Sequence, residues 1–272
     1  MTSRTAIFTT AALISTFAAT SRTEMAAQDA PAIKRAITGD APEATPEIST
    51  EELERVIATR SAIVIDARPP AEFGIGHIPG AVNVAPRPGR PMAEYVSDVT
   101  EIGRIVNGNP AAALVLYCNG MHCGKTKRLA TELRDAGYTN VRRYQLGMPV
   151  WRALGGIAQI ELDAVTHVLA NDRTAVVVDV REGADFKAGS LPQAINIARS
   201  LVTDTKDTGE VRKAKDDGRL PMNDHRTRII VVGPDSAKAA YVAQRIAFEA
   251  FDNVSFFAGT IQEVQVLIRT KR

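Results

Sequence analysis

Two cysteines, Cys118 and Cys123, are the only ones in the sequence of 272 residues, and both lie in one short polar segment. Cys118 follows an apolar run, 113–117, that is typical of a buried strand. Residues 125–136 have the apolar spacing of a helix. A cysteine between a strand and a helix meets unpaired backbone N–H groups and the positive end of the helix dipole. Both features favour a thiolate, so we predict that Cys118 is a nucleophile.

The residues around the two cysteines complete the candidate site. They are Asn119, Gly120, Met121, His122, Cys123, Gly124 and Lys125. A glycine-containing loop curled around a sulfur can aim successive N–H groups inward, and such a nest binds anions. It stabilises a thiolate and equally a persulfide, whose outer sulfur carries the charge. Lys125, Lys127 and Arg128 add positive charge, which suits anionic donors such as thiosulfate.

Other roles for these residues stay open at this point. A free cysteine also packs as a small hydrophobic residue. Cys123 is either a thiol that resolves an intermediate on Cys118 or a loop residue without a chemical role. His122 either protonates a leaving group or is simply solvated. The cysteine pair lacks the two further ligands of a zinc site, so we expect no metal. For His77, in a turn motif, we expect structural hydrogen bonding.

The sequence contains a long internal repeat. Residues 66–85 align without gaps to residues 179–198, and the two stretches share Asp, Arg, Ala, Phe, Gly, Pro, Ala and Asn at equivalent positions. Because each copy is the size of a domain, the repeat indicates a duplicated domain rather than a solenoid. The Asp-x-Arg pair occurs in both copies, including the one that lacks cysteine, so we expect a structural ion pair there.

Each copy alternates short strands with amphipathic helices. This pattern predicts an α/β fold in which each domain has a central parallel sheet flanked by helices. Ligands gather at the carboxyl ends of the strands in such sheets, and Cys118 lies at one. We predict an active first domain at 47–156 and a second domain at 157–272, after a linker at 28–46.

The first residues predict export. Arg4 is followed by an uncharged stretch, 5–19, too short to span a bilayer, so we assign a secretory signal peptide to residues 1–27. We therefore expect a periplasmic or secreted protein that does not bind membranes after signal removal. The net charge of +2 argues against nucleic acid as a partner.

Four motifs, in this order and spacing, support a family resemblance. They are Asp66-x-Arg68, Phe73-x-x-Gly-His-Ile-Pro-Gly-Ala81, Tyr117-Cys118 and Gly147-Met-Pro-Val-Trp151. The chain resembles the rhodanese family of sulfurtransferases in its tandem form with two rhodanese-like domains. The resemblance implies a loop cysteine that cycles between thiol and persulfide, without a metal or organic cofactor. It assigns Cys118 as the sulfur acceptor and 119–123 as the loop whose amides hold the outer sulfur.

The second copy departs from this pattern, since Gly233 stands where Cys118 stands and the loop after it is two residues shorter. We expect the second domain to be inactive. Most two-domain members carry the working cysteine in the C-terminal copy, whereas this chain carries it in the N-terminal one.

These observations predict a sulfurtransferase. It would move sulfane sulfur from a donor such as thiosulfate to a thiophilic acceptor such as cyanide, through a Cys118 persulfide. Its expected partners are small sulfur-containing anions and a protein sulfur acceptor. The alternative is a non-catalytic sulfur carrier or interaction module in the periplasm; a thiol–disulfide role of the cysteine pair is a third. A related phosphatase would need arginine where Gly124 stands.

Overall fold

The structure is a computed structural model that describes residues 32–39, 45–86, 88–89, 91 and 96–270. The signal peptide predicted at 1–27 and part of the linker predicted at 28–46 lie outside the described residues. Ala32–Arg35, within the predicted linker, form one 3-10 turn. Within the described ranges, no helix has both the length and the apolar character to cross a lipid bilayer.

The first domain alternates strands and helices as predicted. Its strands are β1 (Ile63–Asp66), β2 (Val82–Asn83), β3 (Leu114–Tyr117) and β4 (Val141–Tyr144). Its helices are α1 (Thr50–Thr59), α2 (Pro70–Ile75), α3 (Asp98–Ile105), α4 (Gly124–Asp135) and α5 (Gly147–Ala153). The sequence does not predict α2 and α3, because helices this short contain too few apolar repeats. Helix α1 begins with a capping box, in which Ser49 and Glu52 each bind the other's backbone N–H.

The second domain repeats this order with one more strand. Its strands are β5 (Ala158–Ile160), β6 (Val176–Asp179), β7 (Ile195–Asn196), β8 (Ile229–Val232) and β9 (Val254–Phe257). Its helices are α6 (Leu162–Asn171), α7 (Gly183–Ala188), α8 (Glu210–Asp216), α9 (Ser236–Phe248) and α10 (Ile261–Thr270).

Each domain is built around one parallel sheet. The strand orders are β2-β1-β3-β4 and β5-β9-β8-β6-β7, and all neighbours in both sheets run parallel. Side chains of β3 alternate between two apolar clusters, with Val115 on one face and Leu116 on the other. A sheet buried on both faces explains why its central strands are continuous apolar runs. The predicted α/β fold with two parallel sheets is therefore confirmed.

The repeated Asp-x-Arg pair forms the predicted ion pair in both domains. The distance between a guanidinium nitrogen and a carboxylate oxygen is 2.6 Å in Arg68–Asp66 and again in Arg181–Asp179. Each guanidinium also donates to the backbone carbonyl of a glycine eight residues further on. Both carboxylates are fully buried, so the arginines offset a charge that burial would otherwise disfavour.

The turn that contains His77 joins the two domains. Its backbone exchanges two hydrogen bonds, of 2.9 and 2.8 Å, with Gln159 of β5. The His77 ring is buried, stacks on Phe73 with 3.7 Å between ring centroids, and its Nδ1 lies 3.0 Å from the Phe73 carbonyl oxygen. The structural hydrogen bonding expected for His77 is thus present. Trp151, buried nearby, donates to the Ile157 carbonyl at 2.9 Å.

This burial makes stability depend on pH. Desolvation lowers the pKa of His77 from 6.5 to about 4. Between these values the unfolded chain binds a proton on His77 that the native protein does not, so stability falls as the pH drops through this window. The loss reaches about 3 kcal/mol for a shift of this size. Glu161 Oε1, on a half-exposed carboxyl, lies 3.6 Å from Nε2.

We therefore expect His77→Gln to flatten the decline in the free energy of unfolding between pH 7 and pH 4.5, measured by urea denaturation. His167→Gln, at an exposed histidine of α6, controls for the substitution itself. An equally steep decline in the His77→Gln variant would contradict this assignment.

Candidate active site

The two cysteines lie where the sequence places them, in the loop between β3 and α4. Cys118 directly follows β3, which lies between two other strands of its sheet. Cys123 is the N-cap residue of α4 and makes no side-chain capping hydrogen bond. The N–H groups of the first turn of this helix therefore have no cap, and the positive end of its dipole faces the loop.

The cysteine sulfurs are joined in a disulfide, with 6.4 Å between the Cα atoms. This separation is within the usual range for the bond. Cys118 is only 4% exposed, whereas Cys123 is half-buried. The disulfide is the oxidised form of the loop, and in this form Cys118 cannot act as a nucleophile. The two sulfurs are thus direct partners, which the sequence left open for Cys123.

The buried side chain of Gln145 anchors this loop through hydrogen bonds. The side-chain amide nitrogen of Gln145, just after β4, lies 3.4, 3.0 and 3.2 Å from the carbonyl oxygens of Gly120, Met121 and Cys123. The Gly120 carbonyl also accepts from the Cys123 backbone N–H at 2.9 Å. One side chain therefore fixes the direction of three peptide groups in the loop.

The other end of the Gln145 amide is fixed as well. Its Oε1 accepts hydrogen bonds from Arg143 Nη1 at 2.7 Å and from Thr126 Oγ1 at 2.9 Å. Arg143 is 1% exposed and also lies 3.5 Å from the Glu47 carboxylate. Because Oε1 is held by two donors, the NH₂ group has to face the loop carbonyls, which settles the orientation of the amide.

The residues that follow Gln145 contact the cysteine loop through their backbone. The Met148 N–H donates to the Cys118 carbonyl at 3.1 Å. Gly147 has a φ of 66°, and a Cβ built on it would lie 2.5 Å from the Cys118 oxygen. Only glycine allows both this conformation and this close approach. Gly147, the first residue of the motif Gly147-Met-Pro-Val-Trp151, therefore allows this segment to pack directly against the Cys118 loop.

Because these loop carbonyls point toward Gln145, the N–H groups of the same peptide units point away from it. In a trans peptide the N–H points opposite to the preceding C=O, so the N–H groups of Met121, His122 and Gly124 point away from Gln145. Within the described part of the chain, no protein acceptor takes a hydrogen bond from these three groups. Together with the first turn of α4, they offer donors to an anion.

The remaining predicted residues lie on the outside of the loop. The side chains of Met121, His122 and Lys125 are exposed. Asn119 is also exposed, and its amide donates to Glu72 of α2 at 2.6 Å. The predicted residues thus lie in the loop 118–123 and at the first two positions of α4, Gly124 and Lys125.

The cations near the loop differ in their surroundings. Arg128 lies 3.3 Å from Glu132 in the next turn of α4. Lys125 is exposed at the start of that helix. Among the residues that the structure describes, no group of three or more His, Cys, Asp or Glu side chains is arranged to hold a metal ion.

The second domain has a loop without a cysteine at the equivalent place in its fold. Gly233 follows β8 as Cys118 follows β3, and its carbonyl accepts from the Ile261 N–H at 2.8 Å, the counterpart of the Met148 bond. Only Gly233–Asp235 lie between β8 and α9, so this loop is three residues shorter than the loop 118–123 of the first domain. The difference is one residue more than predicted, because α9 begins one residue earlier in the alignment than α4 does. Asp235 caps α9 by accepting from the Lys238 N–H at 2.9 Å.

The sequence did not point to Gln145, Arg143 or Thr126. One signal was available, since polar residues at 143 and 145 alternate along a strand whose inward positions should be apolar. The second domain, whose loop is shorter, has Phe256 and Ala258 at the aligned positions. Buried polar residues at these positions in the first domain, but not in the second, would have indicated a contact with the cysteine loop.

A family model and several known proteins match this chain. The model for the Rhodanese-like domain matches residues 49–154 and again residues 164–266. The HTH-type transcriptional regulator Rv0324 of Mycobacterium tuberculosis is 33% identical over 108 residues, which cover 40% of this chain and 42% of the regulator. The thiosulfate:glutathione sulfurtransferase of Saccharomyces cerevisiae is 30% identical over 114 residues, 40% of this chain and 78% of that protein.

Solved structures match over a longer stretch at lower identity. The crystal structure of SseA from Escherichia coli, a 3-mercaptopyruvate sulfotransferase, is 19% identical and covers 77% of this chain and 96% of its own, with a TM-score of 0.33. A thiosulfate sulfurtransferase from Pseudomonas aeruginosa is 18% identical, with a TM-score of 0.34, and covers 80% of this chain and 41% of its own.

The hydrogen bonds of Gln145 predict that this side chain affects the reactivity of Cys118. In a Cys123→Ser background, which leaves Cys118 as the only thiol, we expect Gln145→Ala to slow alkylation of Cys118 by iodoacetamide at neutral pH by about tenfold. The pH profile of alkylation should also move to higher pH, because loop N–H groups that are free to rotate stabilise the thiolate less. Gln244→Ala, on α9 in the second domain, is the matched control. An unchanged profile in a folded Gln145→Ala protein would refute the role.

Proposed function

Because the chain belongs to the rhodanese family, with two rhodanese-like domains, we propose that it is a sulfurtransferase whose working group is the thiolate of Cys118. The observation that carries this proposal is the loop geometry. Gln145 holds three carbonyls on one side, and the N–H groups of Met121, His122 and Gly124 point the other way. Such a loop suits a negative charge on or next to the sulfur of Cys118.

The proposed reaction has two halves. The Cys118 thiolate attacks the outer sulfur of an anionic donor such as thiosulfate, the sulfur–sulfur bond of the donor breaks, and sulfite leaves with the electron pair. The enzyme then carries a persulfide, whose terminal sulfur is negative and can accept hydrogen bonds from the loop N–H groups. A thiophilic acceptor such as cyanide removes that sulfur and regenerates the thiolate, in a ping-pong cycle.

The disulfide sets a condition on this reaction. While Cys118 is bonded to Cys123, no thiolate is available for the first half. The active form is therefore the reduced one, and we expect assays on oxidised protein to show activity only after treatment with a thiol. The sequence at 1–27 supports a further proposal, that the protein works in the periplasm or outside the cell, where disulfides form readily.

The second domain supports a narrower proposal. Its loop lacks a cysteine, and the Asp235 carboxylate occupies the end of α9 where an anion would bind. We therefore assign the chemistry to the first domain alone. A protein that only carried sulfur, without passing it on repeatedly, would use the same loop, and it differs from the enzyme in turnover.

Intact-mass measurement tests the assignment. Reduced protein freed of reductant should gain the mass of one sulfur atom from thiosulfate in a Cys123→Ser variant and lose it when cyanide is added. Adding Cys118→Ser to the Cys123→Ser variant should abolish both the mass gain and thiocyanate formation, because no thiol then remains in the chain. Thiocyanate formation by this double variant would refute the proposal, and a single transfer without turnover by the Cys123→Ser variant would favour the carrier.

A further inference from the structure

We propose that Cys123 is an internal sulfur acceptor, so that the protein releases hydrogen sulfide from a sulfane donor and is left with the Cys118–Cys123 disulfide. This inference rests on the proposed function, since it begins from the Cys118 persulfide. It assigns the loop a second outcome: when no external acceptor takes the outer sulfur, the neighbouring thiol expels it.

The geometry required for this step is present in the structure. The Cα atoms of the two cysteines are 6.4 Å apart and their sulfurs are bonded, so the loop needs no rearrangement to bring them into contact. Two contacts keep Cys123 in place: its carbonyl accepts from Gln145 at 3.2 Å, and its N–H donates to Gly120 at 2.9 Å. The attacking group is therefore held at the site.

Cys123 also has the surroundings of a reactive thiol. It is the N-cap residue of the twelve-residue helix α4, and its side chain makes no capping hydrogen bond. A thiol at this position is favoured as thiolate by the helix dipole and by the N–H groups of the first turn. In the second domain the aligned loop keeps neither cysteine, and Asp235 is the N-cap there. At the equivalent position of the second domain, a negative side chain therefore caps the helix.

The step balances as an exchange between thiol and disulfide sulfur. The Cys123 thiolate attacks the Sγ atom of the Cys118 persulfide, and a bond forms between the two cysteine sulfurs. The bond between Cys118 Sγ and the outer sulfur breaks, and the outer sulfur leaves with the electron pair as hydrosulfide, taking the proton that Cys123 has lost. The sulfane sulfur is reduced by two electrons, and the two cysteines are oxidised to the disulfide.

Repeated release of sulfide then needs a reductant. A dithiol supplies two electrons and two protons to the Cys118–Cys123 bond and becomes a disulfide itself. Half-buried Cys123 is the more accessible of the two sulfurs, whereas Cys118 is 4% exposed, so the dithiol attacks at Cys123. The reduced loop is then ready for another donor.

A single-turnover experiment tests this without interference from the reductant. Wild-type protein and a Cys123→Ser variant are reduced, freed of reductant and mixed with thiosulfate. Free sulfide is measured over time, and the protein is analysed by intact mass. We expect wild type to release one sulfide per chain and to end as the disulfide, two hydrogens lighter than the reduced protein. The variant should keep its added sulfur and release sulfide at least about tenfold more slowly.

The outcomes separate the two proposals. If Cys123→Ser gains a sulfur and wild type accumulates the same stable persulfide, the internal acceptor is wrong and the sulfurtransferase stands. If neither protein gains a sulfur or releases sulfide, the proposed function fails, and the inference fails with it. Peptide mapping of the wild-type product must show the Cys118–Cys123 linkage; a disulfide between two chains would overturn the proposal even if sulfide is released.

Discussion

The position of the Cys118 loop depends on one contact, the packing of the turn after β4 against the loop after β3. Gln145 binds three loop carbonyls, Met148 binds the Cys118 carbonyl, and Gly147 leaves no gap between the two chain segments. A loop of six residues with unpaired N–H groups would not keep one conformation by itself, because ordering its backbone costs about 1–2 kcal/mol per residue. The buried glutamine, held in turn by Arg143, supplies that order from the protein interior.

Comparison of the two domains separates what the fold needs from what the chemistry needs. Both keep the buried Asp-x-Arg pair and the backbone bond from the turn after the last strand to the residue after the central strand. Only the first domain has the longer loop, the two cysteines and the polar support of Gln145. In the second, Ala258 takes that position and a carboxylate caps the helix. The fold thus persists without the site, whereas the site requires buried polar residues that the fold does not.

The sequence predicted the elements that carry strong periodicity and the residues that carry reactive groups. The pattern of residues predicts the repeat and both parallel sheets. It also predicts the location of Cys118 after β3 and the loss of its equivalent at Gly233. The short helices Pro70–Ile75 and Asp98–Ile105 did not follow, because too few apolar residues mark them. Gln145 did not follow either, since its role depends on carbonyl directions that no spacing rule describes.

In the proposed reaction, the same loop would hold several forms of sulfur. Its N–H donors belong to the backbone and do not titrate, so they would be available to a thiolate, to a persulfide or to an anionic donor alike. What would change between these forms is the bond made by Cys118, and Cys123, at the start of α4, would compete for that bond. The balance between external transfer and internal disulfide formation would then depend on which nucleophile reaches the persulfide first.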